Sequence, residues 1–198
     1  IHAALLTNGN QFLVYMSLMM IMVGFGYKIS MAPFHYWTPD VYEGSPTPVT
    51  AFFSIGPKAA GFAILIRVLY TIFTNDGSLN ATSPLYDVNW TLIFAVLAAI
   101  TMTIGNFLAL HQENVKRLLA FSSISHVGFM LIAFTVIGTE ALTALLFYLV
   151  IYFFMTLSAF IIAIFVKNKL DTDTIDGWKG LAKRNPLISA FMVISLVS

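Results

Sequence analysis

The sequence predicts an all-α polytopic membrane protein, and three observations predict it. Apolar residues fill 59% of the 198 positions and charged residues only 10%, against roughly 25% charged in an ordinary soluble domain. Mean hydropathy is +0.85. Apolar runs of about the 20 residues needed to cross a bilayer recur along the whole chain. Helices are the expected form, because hydrocarbon offers no partner to open backbone N–H and C=O groups.

Taken in order, the expected spans cover about 12–37, 49–74, 90–110, 118–138 and 141–166, and a sixth starts near Pro186. Short polar joints separate them: TPDVYEGSPTP, TNDGSLNATSPLYDVN, HQENVKR, IGTE and KNKLDTDTIDGWKGLAKRN. The first, third and fifth joints fall on one face. That face carries Lys116, Arg117, Lys167, Lys169, Lys179, Lys183 and Arg184, whereas the second and fourth joints carry no Lys or Arg. This positive-inside bias predicts that the first, third and fifth joints are cytoplasmic. The chain lacks an initiator Met and stops within the apolar run LISAFMVISLVS, so it is expected to be a fragment of a longer protein. The unit 1–198 is expected to be one transmembrane fragment.

Composition excludes several chemistries. The absence of cysteine removes thiolate iron–sulfur clusters, zinc thiolates, disulfides and thiol nucleophiles. No HExxH, Walker A, GxSxG or GxGxxG motif is present, and the four histidines are scattered over differing depths. The net charge of +1 and the lack of a basic patch give no sign of nucleic-acid binding.

The remaining cations, Lys28, Lys58 and Arg67, lie inside the expected spans. Lys28 precedes Trp37 by nine residues and Lys58 follows Val49 by nine. Each is therefore roughly 13–14 Å from its span end, near the bilayer midplane. His126 is roughly 12 Å into the fourth span. Two lysines and a histidine at one level form a candidate layer. Snorkelling works near helix ends. It works poorly from the midplane, where a charge costs about 2.5–3.5 kcal/mol on the insertion scale. Arg67 lies near the far end of its span, where snorkelling accounts for it.

Burial disfavours the charged form of an amine, so a midplane lysine can exchange a proton when a neighbouring charge appears or leaves. Histidine titrates near neutrality. Water with Ser54, Ser122, Ser123, Ser125, Tyr148, Tyr152 and Thr156 could complete a path. Tyr148, Tyr152 and Thr156 share one helical face at i, i+4 and i+8. The same hydroxyls equally suit interhelical hydrogen bonding, and His126 equally suits a hydrogen-bonded core position. Pro33 and Pro57 predict local helix breaks beside the two lysines, because neither can donate to the carbonyl four residues earlier.

The segments YKISMAPFHYWTPDVYEGSPTPVTAFFSIGPKAAGFAILIR and GNFLALHQENVKRLLAFSSISHVGFMLI closely resemble the subunit N family of respiratory complex I. These are antiporter-like, proton-pumping membrane subunits, related to the large Mrp antiporter subunits. The resemblance implies an antiporter-like inverted-repeat helical bundle with broken helices. Residues 12–74 would close the first repeat and 90–198 would open the second. By resemblance the six spans match the family's seventh to twelfth helices. Lys28 then falls on the lysine of the broken seventh helix and Lys58 on the connecting lysine of the eighth. His126 and Lys116 fall in the motif KRLLAFSSISH at the start of the tenth, with Lys116 supporting the polar path. The family's glutamate partner of Lys28 would precede residue 1, and its twelfth-helix lysine would follow residue 198.

The resemblance further implies proton translocation coupled to quinone reduction by NADH. This chain would hold no cofactor; NADH, FMN, iron–sulfur clusters and quinone belong on partner subunits. Partners would be neighbouring antiporter-like and small helical subunits within the lipid bilayer, in a bacterial inner membrane or an organellar membrane. Rival readings are a stand-alone cation/proton antiporter and the membrane subunit of a related hydrogenase or ferredoxin-dependent complex.

Overall fold

The computed structural model describes residues 11–72, 90–136 and 138–197. Its helices are α1 (Gln11–Ile29), α2 (Trp37–Gly44), α3 (Thr47–Ile72), α4 (Trp90–Ala109), α5 (Val115–Ile132), α6 (Thr139–Leu170), α7 (Leu181–Arg184) and α8 (Pro186–Val197). The expected second joint, 74–89, lies outside the described residues.

Among the described residues four helices are long and apolar enough to cross a membrane: Thr47–Leu69, Thr91–Ala109, Val115–Thr135 and Thr139–Leu170. Two expected spans differ from the sequence reading. The first ends at Ile29 rather than near residue 37. The sixth is the second arm of a pair, Asp176–Arg184 and Pro186–Val197, bent by 118°.

The end of α1 has a clear cause. Ser30 adopts a left-handed backbone, φ 65°. Its N–H donates to the carbonyl of Tyr27 at 3.3 Å, and the N–H of Met31 donates to Gly26 at 2.8 Å. This is a Schellman cap. Pro33 therefore stands beyond the helix end rather than causing the break beside Lys28. The turn that follows is fixed by Thr38 Oγ1 donating to Ser30 Oγ at 2.7 Å and by Ala32 N–H donating to Thr101 Oγ1 at 3.2 Å. Pro57 does not break its helix either: α3 runs through it unbroken. Proline removes one donor and crowds the preceding turn, and neighbouring helices in a membrane bundle can absorb that cost.

The bundle packs mainly through the pairs α4–α5, α3–α6, α2–α5, α6–α8 and α1–α3. Lipid tails remove the hydrophobic drive between helices, so close backbone approach and van der Waals contact hold them together. Stacked Phe62, Phe134 and Phe94 fill the core toward one end. Tyr42, Leu119 and Phe160 fill a second core at the other. Large apolar side chains face outward, with Met20, Phe147 and Phe154 each about two-thirds exposed or more. A bundle that is apolar outside and polar in places inside suits a lipid surround.

The first, third and fifth joints meet. Arg117 donates to Asp40 and Glu43, each at 2.8 Å. Lys116 Nζ, buried, donates to the carbonyls of Glu43 at 2.6 Å and Ser45 at 3.2 Å, and lies 3.7 Å from Asp173. Asp173 also takes Lys167 at 2.6 Å. Asn114 caps α5 through Lys116 N–H at 2.8 Å and forms a bridge with Thr174. One clamp thus ties three connections together on one face. Arg117 is partly exposed, as are its partners Asp40 and Glu43. Arg117→Ala is expected to cost about 1 kcal/mol or less, as for exposed ion pairs. The unfolding midpoint of the purified protein in detergent checks this, and a loss of the fold would contradict it.

Candidate functional site: a buried lysine beside a histidine–tyrosine cluster

Lys58 is 1% exposed, inside a helix pair rather than at a helix end. Its ammonium donates to Ser123 Oγ at 2.7 Å. Ser123 in turn donates to the Ala120 carbonyl at 2.7 Å, so its hydroxyl oxygen is free to accept the lysine. The Tyr42 ring lies 5.9 Å from the amine. That is the outer limit for a cation–π contact.

The face of α6 predicted from i, i+4, i+8 spacing points into this region. Tyr152, buried, donates to the Ser54 carbonyl at 3.1 Å. Its ring is 5.5 Å from the His126 ring. His126 Nδ1 pairs with Tyr148 Oη at 2.7 Å. The layer therefore runs from Lys58 through Ser123 and Tyr152 to His126 and Tyr148, and it joins α3, α5 and α6. Such a buried polar network strengthens each bond in it and penalises each unpaired member.

Lys28 is not in this cluster. It occupies the last turn of α1, is exposed, and makes no ion pair with a described residue. Its aliphatic stem runs beside Gly61 on α3. Helix rotation explains the difference: Ile29, one position on, turns inward and is 1% exposed. Counting from an expected span end gives a position along the axis, not a direction around it. Lys116 is also apart from the layer. It belongs to the clamp at the start of α5, about 15 Å along the helix from His126. Ser54 and Ser122 are at the cluster or its edge, whereas the backbone of Ser125 packs on Gly105 of α4. Arg67 is exposed, in keeping with snorkelling.

Sequence reading missed Tyr42. It sits on α2, a helix hidden in a joint read as polar loop. Pro39 and Asp40 in the first turn of WTPDVYEG are ordinary helix-start signals that mark it. The Tyr42 hydroxyl is buried, makes no hydrogen bond of ordinary length to a described residue, and stands near Ser54 and Ser123. Tyr42→Phe is therefore expected to leave assembly unchanged or improve thermal stability by up to about 1 kcal/mol, because an unpaired buried hydroxyl carries a desolvation cost. A marked drop in midpoint would show that the hydroxyl is paired.

Among the described residues no group of three His, Asp or Glu gathers to hold a metal ion.

The fold and the site define an integral, multi-pass helical membrane protein with an ionisable layer inside its bundle. The model of the NADH:quinone oxidoreductase/Mrp antiporter transmembrane family matches residues 2–198, and the chain belongs to that family. NADH-quinone oxidoreductase subunit N 2 of Sorangium cellulosum is 50% identical over 186 residues, 93% of this chain and 36% of that protein. Among solved structures, the archaeal membrane-bound sulfane sulfur reductase matches with a TM-score of 0.81 at 28% identity, over 98% of this chain and 39% of that one. Respiratory complex I from Thermus thermophilus with bound aureothin matches with a TM-score of 0.63 at 34% identity, over 88% and 35%. The chain thus spans a little over a third of the length of these relatives.

Proposed function

We propose that this chain is part of a proton-translocating membrane subunit of NADH:quinone oxidoreductase, and that the Lys58–His126 layer is its relay. The observation that supports this most directly is Lys58 itself. An amine 1% exposed, with one serine acceptor and no carboxylate partner among the described residues, is costly to keep in a bilayer unless it works. Midplane ionisable residues of this kind mark ion and proton pathways. Ser123, Tyr152, His126 and Tyr148 supply groups over which a proton can pass, with water closing the longer gaps. Each transfer would be driven by Coulomb terms of a few kcal/mol, as expected at about 4 Å in a partly wet interior. Lys28, on the outside of α1, would meet the carboxylate partner that the family resemblance implies.

Redox chemistry would lie on partner subunits that hold NADH, FMN, iron–sulfur clusters and quinone, in a bacterial inner membrane or an organellar one. Residues 12–74 and 90–198 would belong to successive inverted repeats. Membership of a different respiratory complex is a second reading. The similarity to the sulfane sulfur reductase complex favours it, since such complexes could use the same layer with another electron acceptor. The test is Lys58→Ala in the full-length protein within its complex, in sealed vesicles, with quinone reduction and the proton gradient followed together. A fall in both, with the complex assembled, supports the reading; wild-type levels of both would sink it.

A further inference from the structure

An apolar groove of about 580 Å³ separates α1 from α4 on the outside of the bundle. Residues 15–23 of α1 form one wall and residues 92–97 of α4 the other. Met31, Pro33 and Phe34, in the turn beyond α1, close its inner end. Just below, the Ala32 N–H donates to Thr101 Oγ1 at 3.2 Å and ties that turn to α4. Further out the walls part, because α1 packs on α3 and α4 packs on α5. The groove lies in the leaflet opposite the clamp, since α4 starts from the second joint, on the far face. Along α1 it runs about 12 Å from Tyr15 to Val23. That is close to one leaflet of the ~30 Å hydrocarbon core.

The lining decides what the groove can hold. Among the described residues no charged side chain lines it, and Tyr15, at its outer end, is the one lining residue with a hydroxyl. Sites for polar ligands of this size, ~300–1,000 Å³, bring a few polar groups together. A tyrosine alone, at the level of the headgroups, is instead the ordinary interfacial anchor. Helices that meet in lipid do so over small residues, which let the backbones approach. The contact of α4 with α5 is of that kind, through Gly105 and Gly128. No described Gly, Ala, Ser or Thr lines the groove. Met19, Met22 and Met31 line it, and their unbranched side chains adapt to an irregular, mobile occupant. The groove also continues the lipid-facing surface of its two helices, where Met16, Met20 and Ile100 are exposed.

We propose that this groove binds one hydrocarbon tail of a membrane phospholipid, drawn from the leaflet opposite the clamp. The tail lies between α1 and α4, its methyl end rests on Met31, Pro33 and Phe34, and its headgroup sits near Tyr15. It supplies the van der Waals contact that the two parted helices do not give each other. It also backs the turn that ends α1. The site is made by shape and not by charge, so it selects for a flexible tail rather than for a particular headgroup. The inference is independent of the relay through Lys58 and His126.

The test uses the full-length protein in its complex, placed in nanodiscs of phosphatidylcholine with bromine on the acyl chains. Density maps with brominated and ordinary lipid are compared. One tail should appear in the groove, with a bromine signal at least threefold above that over the exposed face of α6 at Phe147 and Phe154, which has no groove to hold a tail. Val96 lines the groove and is half exposed, so Val96→Trp fills the space from the lipid side. It is expected to lower the groove signal at least threefold and to leave the α6 signal unchanged. A signal no stronger than that over α6 would mean ordinary boundary lipid, and overturns the inference. So does a protein helix in the groove, whether from the rest of a longer chain or from a partner subunit. So does a groove signal that Val96→Trp leaves intact. Should Val96→Trp not assemble, the comparison with α6 in the unmodified complex decides alone.

Discussion

Lys58→Met is expected to reduce proton translocation at least tenfold while leaving the stability of the assembled complex within about 1 kcal/mol of wild type. The two halves of this expectation have separate causes. Methionine nearly matches the volume of the lysine stem, and volume-conserving swaps in a core usually cost less than about 1.5 kcal/mol. The bond from Nζ to Ser123 is lost, worth about 1.5–3 kcal/mol for a charged donor. Against that, a buried amine inside a membrane-spanning helix is removed, a group that costs about 2.5–3.5 kcal/mol at a helix centre. Ser123 keeps its own bond to Ala120, so no buried donor is orphaned. Activity has no such compensation, because a thioether cannot take up a proton. Positioned proton-transfer groups contribute about 10²-fold or more. Dye quenching in sealed vesicles, alongside the unfolding midpoint of the complex, measures both halves. Lys58→Arg sharpens the result. Guanidinium keeps a charge but does not release its proton in proteins. If Lys58→Arg restored translocation, Lys58 would be a fixed charge and not a proton carrier.

The parts of the molecule that the sequence shows well are those set by position along a helix axis. Apolar runs locate α3 to α6 to within a few residues, because hydrocarbon thickness sets their length. Joints carrying Lys116, Arg117 and Lys167 are placed on one side by counting spans, and the clamp brings them together there. Periodicity on a single long helix also works: Tyr148 and Tyr152 both reach the His126 neighbourhood. What sequence does not show is direction around the axis and distance between helices. Lys28 and Lys58 are each nine residues from an expected span end, yet one is exposed and the other buried. The end of α1 depends on one residue, Ser30, in a left-handed backbone that serine seldom adopts. Ser195 is a single hydroxyl in an apolar stretch. Only the approach of α8 to α5 and α6 gives it a place beside His126.

Gly128→Val is expected to abolish assembly, with a cost of about 3 kcal/mol or more, the upper range for overpacking a core. The reason lies in the contact between α4 and α5. A side-chain carbon at Gly128 would stand 2.7 Å from the backbone nitrogen of Met102 and 3.0 Å from the carbonyl oxygen of Ala98. One at Gly105, two turns along and reaching the other way, would stand 2.6 Å from the backbone nitrogen of Ser125. These are main-chain atoms of a neighbouring helix, which no change of rotamer can move. Relief requires the two helices to separate, and in lipid their attraction comes from close packing alone. Separation would also shift α5, which holds Ser123 and His126, so any complex that did form should translocate poorly. Gly24→Ala supplies the control. Gly24 has nothing within 4 Å of an added carbon, so alanine there should be tolerated, with a gain of up to about 1 kcal/mol from helix propensity. Assembly is read as the amount of intact complex on a native gel. Wild-type amounts from Gly128→Val would mean that α4 and α5 are not in backbone contact, and that the lysine layer does not depend on that contact for its geometry.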